Sequence, residues 1–409
     1  MRIKQISNIS KLRAFGRAVE VLAMIKAHVL AWVVILPVFC FADESPANDP
    51  IDWDRAKALY QRDRAGEHLS PDEQAYLDRA KAQRQNGQAG RGNAANAGRP
   101  NGQAGRGDPS IAKGETTGYT PLTNKSDAKY KDYTFGLYGD GQNTPPAEHL
   151  KHAMTASKQI QPLNQDGKPA ADGKIVIMSV GMSNTTQEFS QFVRDANADP
   201  AKSDRVTIVD AAQGGRAADE WSSRDRTQTW TEADRRLGAA GVSPAQVQAL
   251  WIKQARRQPA SLGEFPKHAQ ALEEDLKNIV LIARERYPQL KIVYLSSRTY
   301  AGYATTPLNP EPYAYESAFS VQSLIRSQFT GDDKSLAYDK APVLLWGPYL
   351  WTDGTTGRTE DKLTWTKSDT AADGTHPSRT GQEKVAQLLL NFLKSDPTAK
   401  PWFAKADGK

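Results

Sequence analysis

Cysteine is almost absent: Cys40 is the single one among 409 residues. That excludes an internal disulfide framework, a Cys-based zinc cluster and a CxxC redox motif. Long apolar stretches are scarce as well. The longest, Val29–Ala42, is broken by Pro37 and is too short for a comfortable membrane span. An excess of one charge is also missing. Of 53 basic and 47 acidic side chains, six basic and one acidic lie in residues 1–42, which leaves +1 on the remainder. The formal charge of +6 is therefore mostly a property of the N-terminus, and no electrostatic footprint for nucleic acid remains.

What is present begins with that N-terminus. Basic residues precede the apolar run, and Cys40 and Ala42 put small side chains at −3 and −1, so residues 1–42 read as a signal peptide. A start at Met24 would leave MIKAH ahead of the run, which is a more ordinary signal. The expectation is an exported chain, periplasmic or extracellular, with no stable membrane span once the signal is cleaved. Residues 43–85 read as a helical hairpin. Trp53, Ala56, Leu59 and Tyr60 share one helical face, and Tyr76, Leu77 and Ala80 another. Between them, Ser70-Pro71-Asp72-Glu73 supplies an N-cap, a proline at N1 and a capping-box glutamate. Residues 86–110 repeat NGQAGRG at 86–92 and 101–107, a composition too poor in apolar groups to repay ordering, and so a flexible linker.

From 111 to 409, short apolar runs alternate with helical patterns. The runs are 174–180, 206–210, 247–252, 291–296 and 343–346. Segments 266–287 and 379–393 carry apolar residues at helical spacing. Bulky runs without alternation, separated by amphipathic helices, predict an α/β fold: a three-layer α/β/α sandwich around a parallel sheet. Ligands of such sheets bind beyond the carboxyl ends of the strands, and the polar residues follow there. Gly181-Met182-Ser183-Asn184 follows the first run, and a segment from Gly214-Gly215 to Glu220-Trp221 follows the second. Trp251-Ile252-Lys253-Gln254 ends the third, and Asp373-Gly374-Thr375-His376-Pro377 precedes the last helix.

These four blocks, in this order, resemble the SGNH (GDSL-like) hydrolase superfamily, and within it the sialate and xylan O-acetylesterase branch. The resemblance spans about residues 173–393. It implies Ser183 as nucleophile, His376 as general base and Asp373 as the residue orienting it. It also implies an oxyanion hole from the Ser183 N–H, the Gly214 N–H and the Gln254 side chain. Met182 before the serine, and Ala255 and Arg256 after Gln254, depart from the branch's usual pattern. The implied activity is hydrolysis of O-acyl esters, O-acetyl on carbohydrate, without metal or organic cofactor. The rival expectation is a non-catalytic carbohydrate-binding or cell-envelope protein that retains the fold.

Further residues have two readings each. Arg298 follows the fourth run and either meets a substrate carboxylate or braces its loop. Tyr300 and Trp346 belong to an aromatic-rich stretch that either stacks on sugar rings or packs a loop over the core. His149 and His152 have HxxH spacing but no suitably spaced third ligand, so an exposed helix face is their expected place.

Overall fold

The computed structural model describes residues 51–64, 70, 72–74, 76–77, 80, 112–124 and 128–405. The signal peptide and the linker expected from sequence lie outside these residues. The chain divides into two units, 1–99 and 100–409. In the first, Trp53–Arg64 is helical, and the Asp52 carboxylate accepts the N–H groups of Asp54 and Arg55 at its start. Glu73 accepts from the Ser70 N–H while Ser70 Oγ accepts from the Glu73 N–H, which closes the capping box read from sequence. Ala56, Leu59, Leu77 and Ala80 are buried. Trp53 and Tyr60, expected on the same apolar face, are 48% and 45% exposed.

The second unit is an α/β/α sandwich. Its sheet comprises β1 (Ile175–Gly181), β2 (Val206–Val209), β3 (Val247–Lys253), β4 (Ile292–Ser296) and β5 (Val343–Trp346). The spatial order is β2-β1-β3-β4-β5, every pair parallel. Each sequence run falls on a strand to within one residue at either end, because burial on both faces leaves an uninterrupted apolar signature. Flanking helices are α1 (Ala147–Gln159), α2 (Ser183–Ala198), α3 (Thr227–Ala239), α4 (Lys267–Arg286), α5 (Tyr313–Thr330) and α6 (Arg379–Ser395). In one layer α2 packs on α6, and in the other α4 packs on α5. Gly181 pairs with Lys253 and Lys253 with Ser296, so three strands end side by side.

One charge sits inside this apolar frame. Lys253 closes β3 with no exposed side-chain surface, and its Nζ donates to both Glu188 oxygens on α2, at 2.6 and 2.5 Å. The pair pins the underside of α2 to the sheet. Lys253→Met alone is expected to cost about 3–5 kcal/mol, since it strands the Glu188 carboxylate in the core. Adding Glu188→Leu should recover most of that loss. Urea unfolding of the single and double variants, followed by tryptophan fluorescence, reads the difference.

Candidate active site

Ser183 is the first residue of α2, two positions after the end of β1. The turn between them is tight. A Cβ at Gly181 would lie 2.3 Å from Thr185 Cγ2, so only glycine fits, and Thr185 Oγ1 donates to the Lys253 carbonyl at 2.7 Å. As N1 of the helix, Ser183 has a backbone N–H with no intrahelical acceptor.

The fourth block meets this elbow from 193 residues away. Ser183 Oγ and His376 Nε2 are 2.7 Å apart, and His376 Nδ1 lies 2.6 Å from Asp373 Oδ2. Asp373 Oδ1 accepts the backbone N–H groups of Thr375 and His376, each at 3.0 Å. Burial alone would raise this carboxyl. The His376 ring and the two N–H groups outweigh burial and hold it at about 2. An ionised carboxylate only accepts, so Nδ1 carries the ring proton and Nε2 is left to accept from the serine hydroxyl. The side chains of Asp373 and His376 are 31% and 28% exposed, open to solvent on one side.

Gly374 shapes that turn. Its φ is +64°, and a Cβ there would come within 1.8 Å of the Tyr303 carbonyl oxygen. Gly374→Ala is expected to lose about 1–2 kcal/mol to backbone strain alone. The clash adds a displacement of Asp373 and His376 that should lower turnover on the order of 10². Thermal denaturation and steady-state kinetics of the variant measure the two losses separately.

The loop after β2 is fastened to the same elbow. Asp210 accepts from Ser179 Oγ at 2.6 Å, Thr186 Oγ1 at 2.5 Å and Ser190 Oγ at 2.8 Å, joining β2 to β1 and α2. Ser179 Oγ in turn accepts the N–H groups of Ala211 and Ala212. The Gly181 carbonyl accepts from the Gln213 N–H and from Trp221 Nε1. Gly214 and Gly215 therefore follow an anchored residue, and Gly215 has a φ of +75°. Among the described residues, neither the Ser183 nor the Gly214 N–H is bonded to a protein acceptor. Gln254 is buried, with Nε2 donating to the Arg216 carbonyl and Oε1 accepting from the Ala255 N–H, both at 3.3 Å. A primary amide has two N–H donors, so one remains after the bond to Arg216.

Sequence reasoning named neither Asp210 nor Glu188. Their signals were slight: a carboxylate closing an apolar run, and one acid on an otherwise mixed helix. The residues expected to touch substrate are placed differently from the triad. Tyr300 and Trp346 are 2% and 4% exposed, so neither offers an open face for stacking. Their polar tips are tied to carbonyls, Tyr300 Oη to Gly114 and Trp346 Nε1 to Leu137, which lets large rings pack inside without stranding a donor. Tyr303, Tyr315, Tyr349 and Trp351 are buried likewise. Arg298 is buried beside the β4 end, and its Nε and Nη1 have no partner. His149, expected on an exposed helix face, is also buried. Both its ring nitrogens are engaged, by Tyr338 Oη and the Leu344 carbonyl, while His152 stacks on Tyr338.

Two cavities lie elsewhere. One of about 250 Å³ is bordered by Glu273, Lys277 and Asp333, and another of about 350 Å³ by Tyr119, Asp353 and Arg358. Neither includes the Ser183–His376–Asp373 chain. Among the described residues, no helix is long and apolar enough to cross a membrane.

No protein-family model matches the chain, and no curated protein does. Among solved structures, it is similar to the lipase Lip_vut3 from a goat rumen metagenome, at 14% identity and a TM-score of 0.31. That likeness covers 54% of this chain and 98% of the lipase. It is also similar to BT4096, a gut microbial diltiazem-metabolizing enzyme, at 11% identity and a TM-score of 0.30. The second likeness covers 57% of this chain and 48% of that one. Likenesses this distant carry no argument about chemistry.

Proposed function

We propose that this chain is an exported serine esterase that hydrolyses O-acyl esters, O-acetyl groups on carbohydrate in particular. The observation that carries the proposal is the continuous hydrogen-bond chain from Ser183 Oγ through His376 to an ionised Asp373, at the carboxyl edge of a parallel sheet. In this reading Ser183 Oγ attacks the ester carbonyl while His376 Nε2 takes its proton. The Ser183 N–H, the Gly214 N–H and the spare Gln254 N–H receive the developing oxyanion, each worth on the order of 10²–10³ in rate. The alcohol leaves with the proton from His376, and water then returns the serine. No cofactor is required by these steps.

Polymer-borne acetyl fits the openness of the triad: a pendant group reaches a partly buried serine beside a part-exposed His376 without the whole molecule entering a cavity. Export rests on the apolar run 29–42 and the small residues ahead of the expected cleavage point. The test is acetate release from p-nitrophenyl acetate and from acetylated xylan by the chain lacking residues 1–42. Release from both supports the reading, and release from the small ester alone removes the carbohydrate from it. Failure on a panel of acyl esters would return the fold to the rival role, a carbohydrate-binding protein.

A further inference from the structure

The last strand of the sheet leads to a cavity that the triad does not use. β5 ends three strand spacings, roughly 14 Å, from β1, and the loop that leaves it turns back against residues 117–124. Between loop and segment lies the cavity of about 350 Å³, a volume within the range of small-ligand sites. Its walls are fixed by the chain itself. Thr117 donates its N–H and its hydroxyl to Asp353 Oδ1, both at 2.6 Å, and the Gly118 N–H donates to Oδ2 at 2.8 Å. Gly354 has a φ of +57°, and a Cβ there would come within 1.7 Å of the Glu115 carbonyl oxygen. The same wall reaches the triad. The Trp365 N–H donates to the Gly354 carbonyl, Tyr303 Oη donates to the Trp365 carbonyl, and the Tyr303 carbonyl lies against Gly374.

The lining selects what fits. Of the described residues that border the cavity, Arg358 is the only cation, and its guanidinium is already committed. Nε and Nη2 donate to Asp361, and Nη1 donates to the Tyr349 carbonyl. Asp353 is occupied by its three donors. Glu360 is exposed and has no ion-pair partner among the described residues, so the remaining charge repels an anion. What is left is neutral and hydroxylic. Thr120, Thr123, Thr356 and Thr359 border the cavity, and no hydrogen bond within the described residues occupies their hydroxyls. Each hydroxyl can both donate and accept. Beside them Tyr119 is part-exposed, its ring stacked on Tyr315 at 4.9 Å and met at an edge by Tyr130 at 5.9 Å. A ring held still on one side and flanked by hydroxyls suits a ligand whose surface alternates C–H and O–H. We propose that this cavity is a second glycan subsite, which holds an unacylated, neutral sugar unit of the polymer whose ester the triad cleaves. Its walls need no rearrangement to receive that unit, which lowers the cost of binding it.

The inference rests on the carbohydrate substrate proposed above, and its test needs no turnover. Isothermal titration of the wild-type chain uses xylohexaose, cellohexaose and mannohexaose, none of which carries an ester. At least one should bind with a Kd on the order of 10⁻³ M or below. Hexagalacturonate, of equal length but anionic, should bind at least about tenfold more weakly. Thr356→Trp fills the cavity from an exposed position and should weaken binding of the neutral hexaose at least about tenfold. The same variant should raise KM for acetylated xylan about tenfold with kcat within about twofold. Thr359→Trp enters the cavity from a second exposed position and must reproduce the loss, with circular dichroism establishing which variants are folded. No binding of any neutral hexaose, undiminished binding by either folded tryptophan variant, or hexagalacturonate held as tightly as the neutral sugars overturns the proposal. An inactive wild type that binds a hexaose through the cavity would refute the esterase reading alone. An active wild type that binds none would refute the subsite alone.

Discussion

Ser183→Ala should eliminate ester hydrolysis, lowering turnover by at least ~10³ and leaving only the slow catalysis that binding and oxyanion donors provide. The hydroxyl is the group that bonds to the substrate carbonyl, and no neighbour can replace it. Thr185 Oγ1 is committed to the Lys253 carbonyl, and Thr186 Oγ1 to Asp210. Folding should be unaffected. Ser183 is the first helical residue, not the cap, and alanine is well tolerated within a helix. The comparison is acetate release by wild type and variant at equal concentration, with circular dichroism establishing that both are folded. A variant that retains wild-type turnover would transfer the chemistry to another residue.

Asp373→Asn is the second large effect, a fall of about 10⁴ in turnover with the local geometry retained. The carboxylate accepts from Nδ1–H at 2.6 Å, which leaves Nε2 unprotonated toward the serine. An amide nitrogen at Oδ2 would donate instead, drive the ring proton to Nε2 and aim a donor at the hydroxyl that must lose its proton. The same carboxyl carries a pH signature. Its hydrogen bonds hold it at about 2 in the folded chain, below its ordinary 3.8, so it stabilises the fold above that ordinary value. The contribution is lost as pH falls from about 4 through 2. Stability curves across that window should converge at low pH for wild type and Asp373→Asn, and separate above it. Parallel curves at every pH would count against an ionised, hydrogen-bonded Asp373.

Much of the fold is legible because its signals are local. A strand such as Ile175–Gly181 is buried along its whole length, so its apolar run shows in one dimension what the sheet does in three. The turn Asp373–His376 is similar: acid and ring are three residues apart, and Gly374 between them marks the positive φ that brings them together. The aromatic stretch is the opposite case. Tyr300 and Trp346 have the same composition whether they line a cleft or fill a core, and only the carbonyls that meet their polar tips decide the matter. Trp53 and Tyr60 failed as helix-face residues for a related reason, since periodicity counts apolar positions without measuring how wide a surface exists to cover them.

The order of the blocks, the strand ends and the residue types suited to acyl transfer were therefore determined by the amino-acid sequence alone, because each depends on neighbours within a turn or a strand. Three things were decided only by tertiary structure. Ser183 meets His376 across 193 positions, Asp210 draws three hydroxyls together from β1 and α2, and Lys253 and Arg298 lose their water in the packed interior. Each depends on distance and dielectric, which belong to the packed chain and have no counterpart in its spelling.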